Sequence, residues 1–158
     1  MTPLLVPGIQ APEFALPSAI GDAISLSSLR GKPAVLVFVP SELDEAMVQQ
    51  LAKFQDRRAD LEAAGAPLLA ISPGAPAVLA RLASAAGLTF PVLHDAGGAV
   101  AAAYGAPGQP AVFVLDEAGV VRRVYDPEGY PSLPNPAMVV RAVAKLAGVL
   151  VPDDGTLE

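Results

Sequence analysis

Three carboxylates stand close together at Glu42, Asp44 and Glu45, and the chain has a single histidine, His94. A carboxylate working with an imidazole is enough for acid–base chemistry, one group taking a proton while the other gives one. The same residue types could begin a metal site. One histidine and no cysteine leave too few strong ligands for a zinc-type centre, and no third ligand lies near the carboxylates in sequence. No metal and no cofactor are therefore expected. The lack of cysteine excludes disulfides, thiolate ligands, dithiol redox pairs and a sulfur nucleophile. Sulfur is confined to Met1, Met47 and Met138. A thioether has no ionisable proton, and once oxidised to sulfoxide it needs a dedicated reductase before it can react again.

Each of these residues also has a structural reading. Glu42, Asp44 and Glu45 suit the first turn of a helix, where the helix dipole favours negative charge. Met47 falls at helical spacing with Leu51, Phe54 and Leu61, which places it in an apolar stripe. His94 separates an apolar run from Asp95 and fits a structural or exposed position. Tyr104, Tyr125 and Tyr130 read as packing and loop anchors. Ligand binding or chemistry by Glu42, Asp44, Glu45 and His94 stands beside these readings.

The elements that must position these residues are legible. AVLVFV, 34–39, is a continuous apolar run between Pro33 and Pro40, the pattern of a central strand buried on both faces. A helix should follow from about 42 to 64, ended by Gly65. PLLAIS, 67–72, is the next buried strand, and an Ala-rich helix over 75–86 ends at Gly87. A short strand is expected in 90–95 and a short helix in 99–104. Residues 111–116 and 120–125 form a hairpin around Glu117, Ala118 and Gly119. Near the start, 12–16 and 23–26 are short strands flanking a turn at Gly21 and Asp22. A Pro-rich loop, 126–136, leads to a last helix with Asn135 as N-cap and Pro136 at its first position. Parallel crossovers followed by an antiparallel hairpin give an α/β fold, a central mixed β-sheet flanked by helices. Strand 34–39 should lie between 67–72 and 111–115. Residues 1–150 read as one domain and 151–158 as a C-terminal tail.

The chain has 158 residues, 53% of them hydrophobic, enough for one sizeable core. Its net charge of −6 argues against nucleic-acid partners, which need clustered cations. Arg57–Arg58 and Arg122–Arg123 are the basic pairs, and each fits a solvated face. No apolar run reaches membrane-spanning length. The first residues lack the charged and apolar regions of a signal peptide, so a cytoplasmic location is expected.

Three segments together resemble the peroxiredoxins of the alkyl hydroperoxide reductase/thiol-specific antioxidant group, over roughly residues 8–147. ISLSSLRGKPAVLVFVP resembles the lead-in to their active-site loop. FPVLHDAGGAVAAAYGA resembles their F-P-x-L-x-D…Y-G stretch, and PAVFVLDEAGVVRRVY a strand hairpin shared with thioredoxin-like reductases. The resemblance implies a thioredoxin-like fold of the peroxiredoxin type and, commonly, a homodimer. In the family motif P-x-x-x-T-x-x-C, Pro40 matches the proline that shields the thiolate. Asp44 stands in place of the threonine, and Met47 in place of the peroxidatic cysteine. Pro110 occupies the place of the active-site arginine. A proline there matches thioredoxin-like proteins better, which implies a cis Gln109–Pro110 peptide.

The losses are linked. Peroxide reduction needs a soft sulfur anion of depressed pKa, and here the sulfur anion, the threonine and the arginine are all absent. The carboxylates at 42–45 occupy the place where an anion would bind. The expected reading is a cysteine-free, peroxiredoxin-like, non-catalytic binding or assembly module for an unknown protein or small molecule. The alternative is an antioxidant or oxidoreductase role through a non-cysteine site or a partner's cysteine.

Overall fold

The computed structural model describes residues 5–18, 21–41, 45–106, 110–125 and 136–147. The elements are β1 (Ala15–Ser18), β2 (Gly21–Ser25), β3 (Ala34–Phe38), α1 (Glu45–Asp56), α2 (Arg58–Ala63), β4 (Leu68–Ser72), α3 (Pro76–Ala85), β5 (Val92–His94), α4 (Ala99–Ala103), β6 (Ala111–Leu115), β7 (Val121–Tyr125) and α5 (Pro136–Ala147).

Every residue of β3, β4 and β6 is buried, and these strands form the middle of a seven-stranded sheet of order β2-β1-β5-β4-β3-β6-β7. β3 runs parallel to β4 and antiparallel to β6, so strand 34–38 sits between the two expected neighbours. Alternation along β3 divides the core. Val35, Val37 and Val39 face Met47, Leu51, Phe54, Leu61, Leu79 and the valines of α5. Leu36 and Phe38 face the other way, toward Phe14, Phe113 and Tyr104. On that second face the ring of Tyr104 lies 5.1 Å from Phe38 and 5.2 Å from Phe113. Its hydroxyl donates to the carbonyl of Pro12 at 2.8 Å, and burial, reinforced by the charge of Glu13, pushes its pKa up.

Two local expectations need correction. The first hairpin does not turn at Gly21 and Asp22. Ser18 pairs with Gly21, so both of those residues belong to β2 and only two residues separate the strands. This register pairs Leu16 with Ile24 across the hairpin. The single helix expected over 42–64 is two helices. At Arg57 the backbone leaves helical geometry (φ −102°, ψ 8°) and three-residue bonds run from Arg57 N–H to Phe54 and from Asp60 N–H to Arg57. The Arg57 guanidinium holds Asp60 at 2.8 Å across the break. The apolar stripe nevertheless continues, with Met47, Leu51, Phe54 and Leu61 all buried.

Gly65 and Gly87 follow α2 and α3 with φ of +76° and +66°, the left-handed geometry of a helix stop. The N-terminal segment reaches the hairpin that ends in β7, with Gln10 bridging to Val120. No helix among the described residues is long and apolar enough to cross a membrane. The Asn135 cap, Tyr130, the Pro-rich loop before Pro136 and the tail 151–158 lie outside the described residues.

Candidate functional site

The parallel strands β3, β4 and β5 all point their carboxyl ends at one edge of the sheet, and open α/β sheets place ligands at that edge. Pro40 follows β3, Ser72 ends β4 and His94 ends β5. Ser72 and His94 are register partners. β6 enters antiparallel with Ala111 opposite Phe38, so Pro110 comes to the same edge as Pro40. The structure thus gathers Pro40, His94, Pro110 and the start of α1 at one end.

Hydrogen bonds tie these strand ends together. Ser72 is fully buried, and its Oγ donates to the Pro40 carbonyl at 3.1 Å. The same Oγ accepts the backbone N–H of Gly74 at 3.1 Å. The Gly74 carbonyl lies 2.8 Å from His94 Nδ1. A carbonyl can only accept, so Nδ1 carries the proton and, in the neutral ring, Nε2 keeps its lone pair. His94 is therefore a half-buried imidazole with a fixed tautomer. Gly74 must be small: a Cβ there would lie 3.2 Å from the Ser41 carbonyl oxygen and 3.2 Å from Leu79 Cδ2.

Next to His94, Asp95 is 1% exposed and turns inward. Its two carboxylate oxygens accept the N–H groups of Val100 and Ala101, each at 3.0 Å. This carboxylate satisfies free donors at the start of α4.

Met47 is 8% exposed and packs in the core beneath α1, as the stripe predicts. The sulfur at the nucleophile position is a core group. Glu45 is exposed at the first residue of α1. Glu42, Leu43 and Asp44 lie outside the described residues, as does the Gln109–Pro110 peptide. Among the described residues no group of three His, Asp or Glu side chains could hold a metal ion. Sequence reasoning missed Ser72 and Gly74. The available signal was a hydroxyl closing the apolar run LLAIS, followed by Pro73-Gly74, at the carboxyl end of a parallel strand.

Residues 7–124 match the AhpC/TSA family. A Mycobacterium tuberculosis protein that carries the provisional name of a peroxiredoxin is 36% identical over 124 residues, 78% of this chain and 79% of its own length. The chloroplastic peroxiredoxin Q of Triticum aestivum is 31% identical over 131 residues, covering 78% of this chain and 60% of the relative. Among solved structures, the M. tuberculosis peroxidoxin BcpB superposes with a TM-score of 0.77 at 26% identity, over 92% of this chain and 98% of that one. M. tuberculosis AhpC, at 21% identity, shares the fold with a TM-score of 0.80 over 91% of this chain and 94% of that one. Neither the β3–α1 segment nor any other part of these 158 residues contains a cysteine. The chain belongs to the AhpC/TSA family of peroxiredoxins, on a thioredoxin-like fold, and lacks the peroxidatic cysteine.

Proposed function

We propose that this protein is a non-catalytic binding or assembly module built on a peroxiredoxin scaffold. The observation that carries the reading is the complete absence of cysteine from a chain that keeps the fold around the site. The burial of Met47 supports it, because a core thioether offers a peroxide no in-line nucleophile. In this reading the carboxyl-end surface at Pro40, Glu45, His94 and Pro110 contacts a protein or small-molecule partner, and Glu42 and Asp44 remain candidate ligand-binding residues from the sequence alone. The protein works in the cytoplasm as a homodimer.

The test is peroxide consumption with dithiothreitol or thioredoxin as reductant, against a buffer blank and an authentic peroxiredoxin. The expected result is no turnover above blank. Repeated turnovers that scale with protein concentration and survive removal of trace metals would overturn the reading. Sedimentation analysis checks the dimer separately.

One observation favours a second reading, an oxidoreductase role through a non-cysteine site or a partner's cysteine. The chain of bonds from Pro40 through Ser72 and Gly74 to His94 orients a proton acceptor at the site edge. Activity that appears only with a thiol-bearing partner, and is lost in His94→Phe, is the outcome that selects it.

A further inference from the structure

The opposite end of the sheet carries a cleft unrelated to the Pro40 edge. The loop before β3 and the turn before β4 form its two sides, and it encloses about 400 Å³. Leu29, Ala66 and Pro67 give it an apolar lining, and Arg30, Lys32 and Arg58 bring cations to it. Lys32 also lines an adjoining recess of about 500 Å³ that contains Arg122.

The cations fall into two classes. Arg58 is neutralised by Glu62 at 2.9 Å, and Arg122 by Asp116 at 2.8 Å. Among the described residues Arg30 and Lys32 have no ion-pair partner. They flank Gly31, whose φ of +96° and N–H bond to the Glu117 carbonyl at 2.9 Å fix the loop. Pro33 stiffens its exit into β3. Two cations without an ion-pair partner among the described residues are thus held on one pinned loop beside an apolar lining.

That combination selects a ligand with a negative head and an apolar body. The volume suits a small molecule. Two cations on one loop are too few to track a nucleic-acid backbone. We infer that this cleft binds a small organic anion, its carboxylate or phosphate head on Arg30 and Lys32 and its body on Leu29, Ala66 and Pro67. The inference does not depend on the proposal for the Pro40 edge, and its readout does not use that edge.

The experiment titrates the full chain with octanoate and with phenyl phosphate, followed by amide shifts in two-dimensional NMR. Inorganic phosphate and benzyl alcohol serve as head-only and body-only probes. Saturable shifts should centre on residues 28–32 and 58–67, with each half-probe at least about tenfold weaker. Arg30→Ala with Lys32→Ala should weaken organic-anion binding about tenfold or more, since charge-assisted bonds are lost. Both side chains are exposed, so the fold should survive, and the unchanged remainder of the spectrum verifies that. Glu62→Gln releases Arg58 and should strengthen binding. The inference is overturned if neither organic anion saturates, if the shifts centre elsewhere, if inorganic phosphate binds as tightly as phenyl phosphate, or if the double variant binds like the parent.

Discussion

The hydroxyl of Ser72 donates to the carbonyl of Pro40 across 3.1 Å, joining the carboxyl end of β4 to that of β3. The same oxygen accepts the Gly74 N–H, so one buried hydroxyl satisfies two backbone groups. Ser72→Ala removes both partners without opening a large cavity. It should destabilise the protein by about 1–3 kcal/mol, the cost of leaving buried polar groups unpaired. Chemical denaturation measures the loss. Amide exchange should rise most at Gly74. A variant as stable as the parent would mean that water replaces the hydroxyl without cost.

His94 should be the Nδ1–H tautomer when neutral, because its Nδ1 faces a carbonyl. The chain has one histidine, so long-range nitrogen–proton NMR gives an unambiguous reading. The pattern expected for the neutral ring is a protonated Nδ1 and an unprotonated Nε2. The reverse tautomer would remove the oriented acceptor from the site.

The fold was readable where burial is complete. The apolar runs at 34–39, 67–72 and 111–115 have no polar face, and a sheet can bury such strands only in its middle. The break at Arg57 was not readable, because no Pro or Gly marks it. It rests on three-residue backbone bonds and an Arg57–Asp60 pair that the pattern of apolar residues does not encode. The hairpin turn was misplaced because Gly21 and Asp22 are strong turn formers, yet the register with β1 draws them into a strand. At the site, Met47 was legible from its stripe. Ser72 and Gly74 were not, since their role depends on three strand ends meeting, a relationship that is distant in sequence.

Asp116 gives a pH prediction. Partial burial works to raise its pKa, but the N–H of Val120, the Arg122 guanidinium and the N–H of Ala118 outweigh that, and the net shift is downward. A lowered carboxyl contributes stability that is fully present above its unfolded value near 4 and is lost as pH falls through the folded value. Asp116→Asn keeps an oxygen for the two N–H groups and removes the charge. Between neutral pH and about pH 3, the parent should lose more stability than the variant, by no more than about 1 kcal/mol given the exposed guanidinium. Urea unfolding at several pH values checks this. Parallel pH curves for the two proteins would show that the carboxylate contributes nothing in the folded state.

Restoring the missing atom should not restore the enzyme. Met47→Cys places a thiol at the nucleophile position of the family motif. Three conditions then act on its pKa. Burial at this position opposes ionisation, since the parent side chain is 8% exposed. Glu45 brings a like charge to the first residue of the same helix, and Glu42 and Asp44 stand just ahead of it in sequence. Position 110 holds proline, so no guanidinium there favours the thiolate. The N-terminal end of α1 acts in the other direction, and its effect is worth about 0.3–1 kcal/mol at an ordinary site. The thiol should therefore titrate at or above the free value of about 8.5. It is the only thiol in the chain, so the pH dependence of its alkylation by iodoacetamide gives the pKa directly. Its reaction with hydrogen peroxide at pH 7 should be no faster than that of a small free thiol. A thiolate already formed at pH 6, or efficient turnover in this single variant, would mean that the scaffold depresses a thiol pKa through groups other than the family's threonine and arginine.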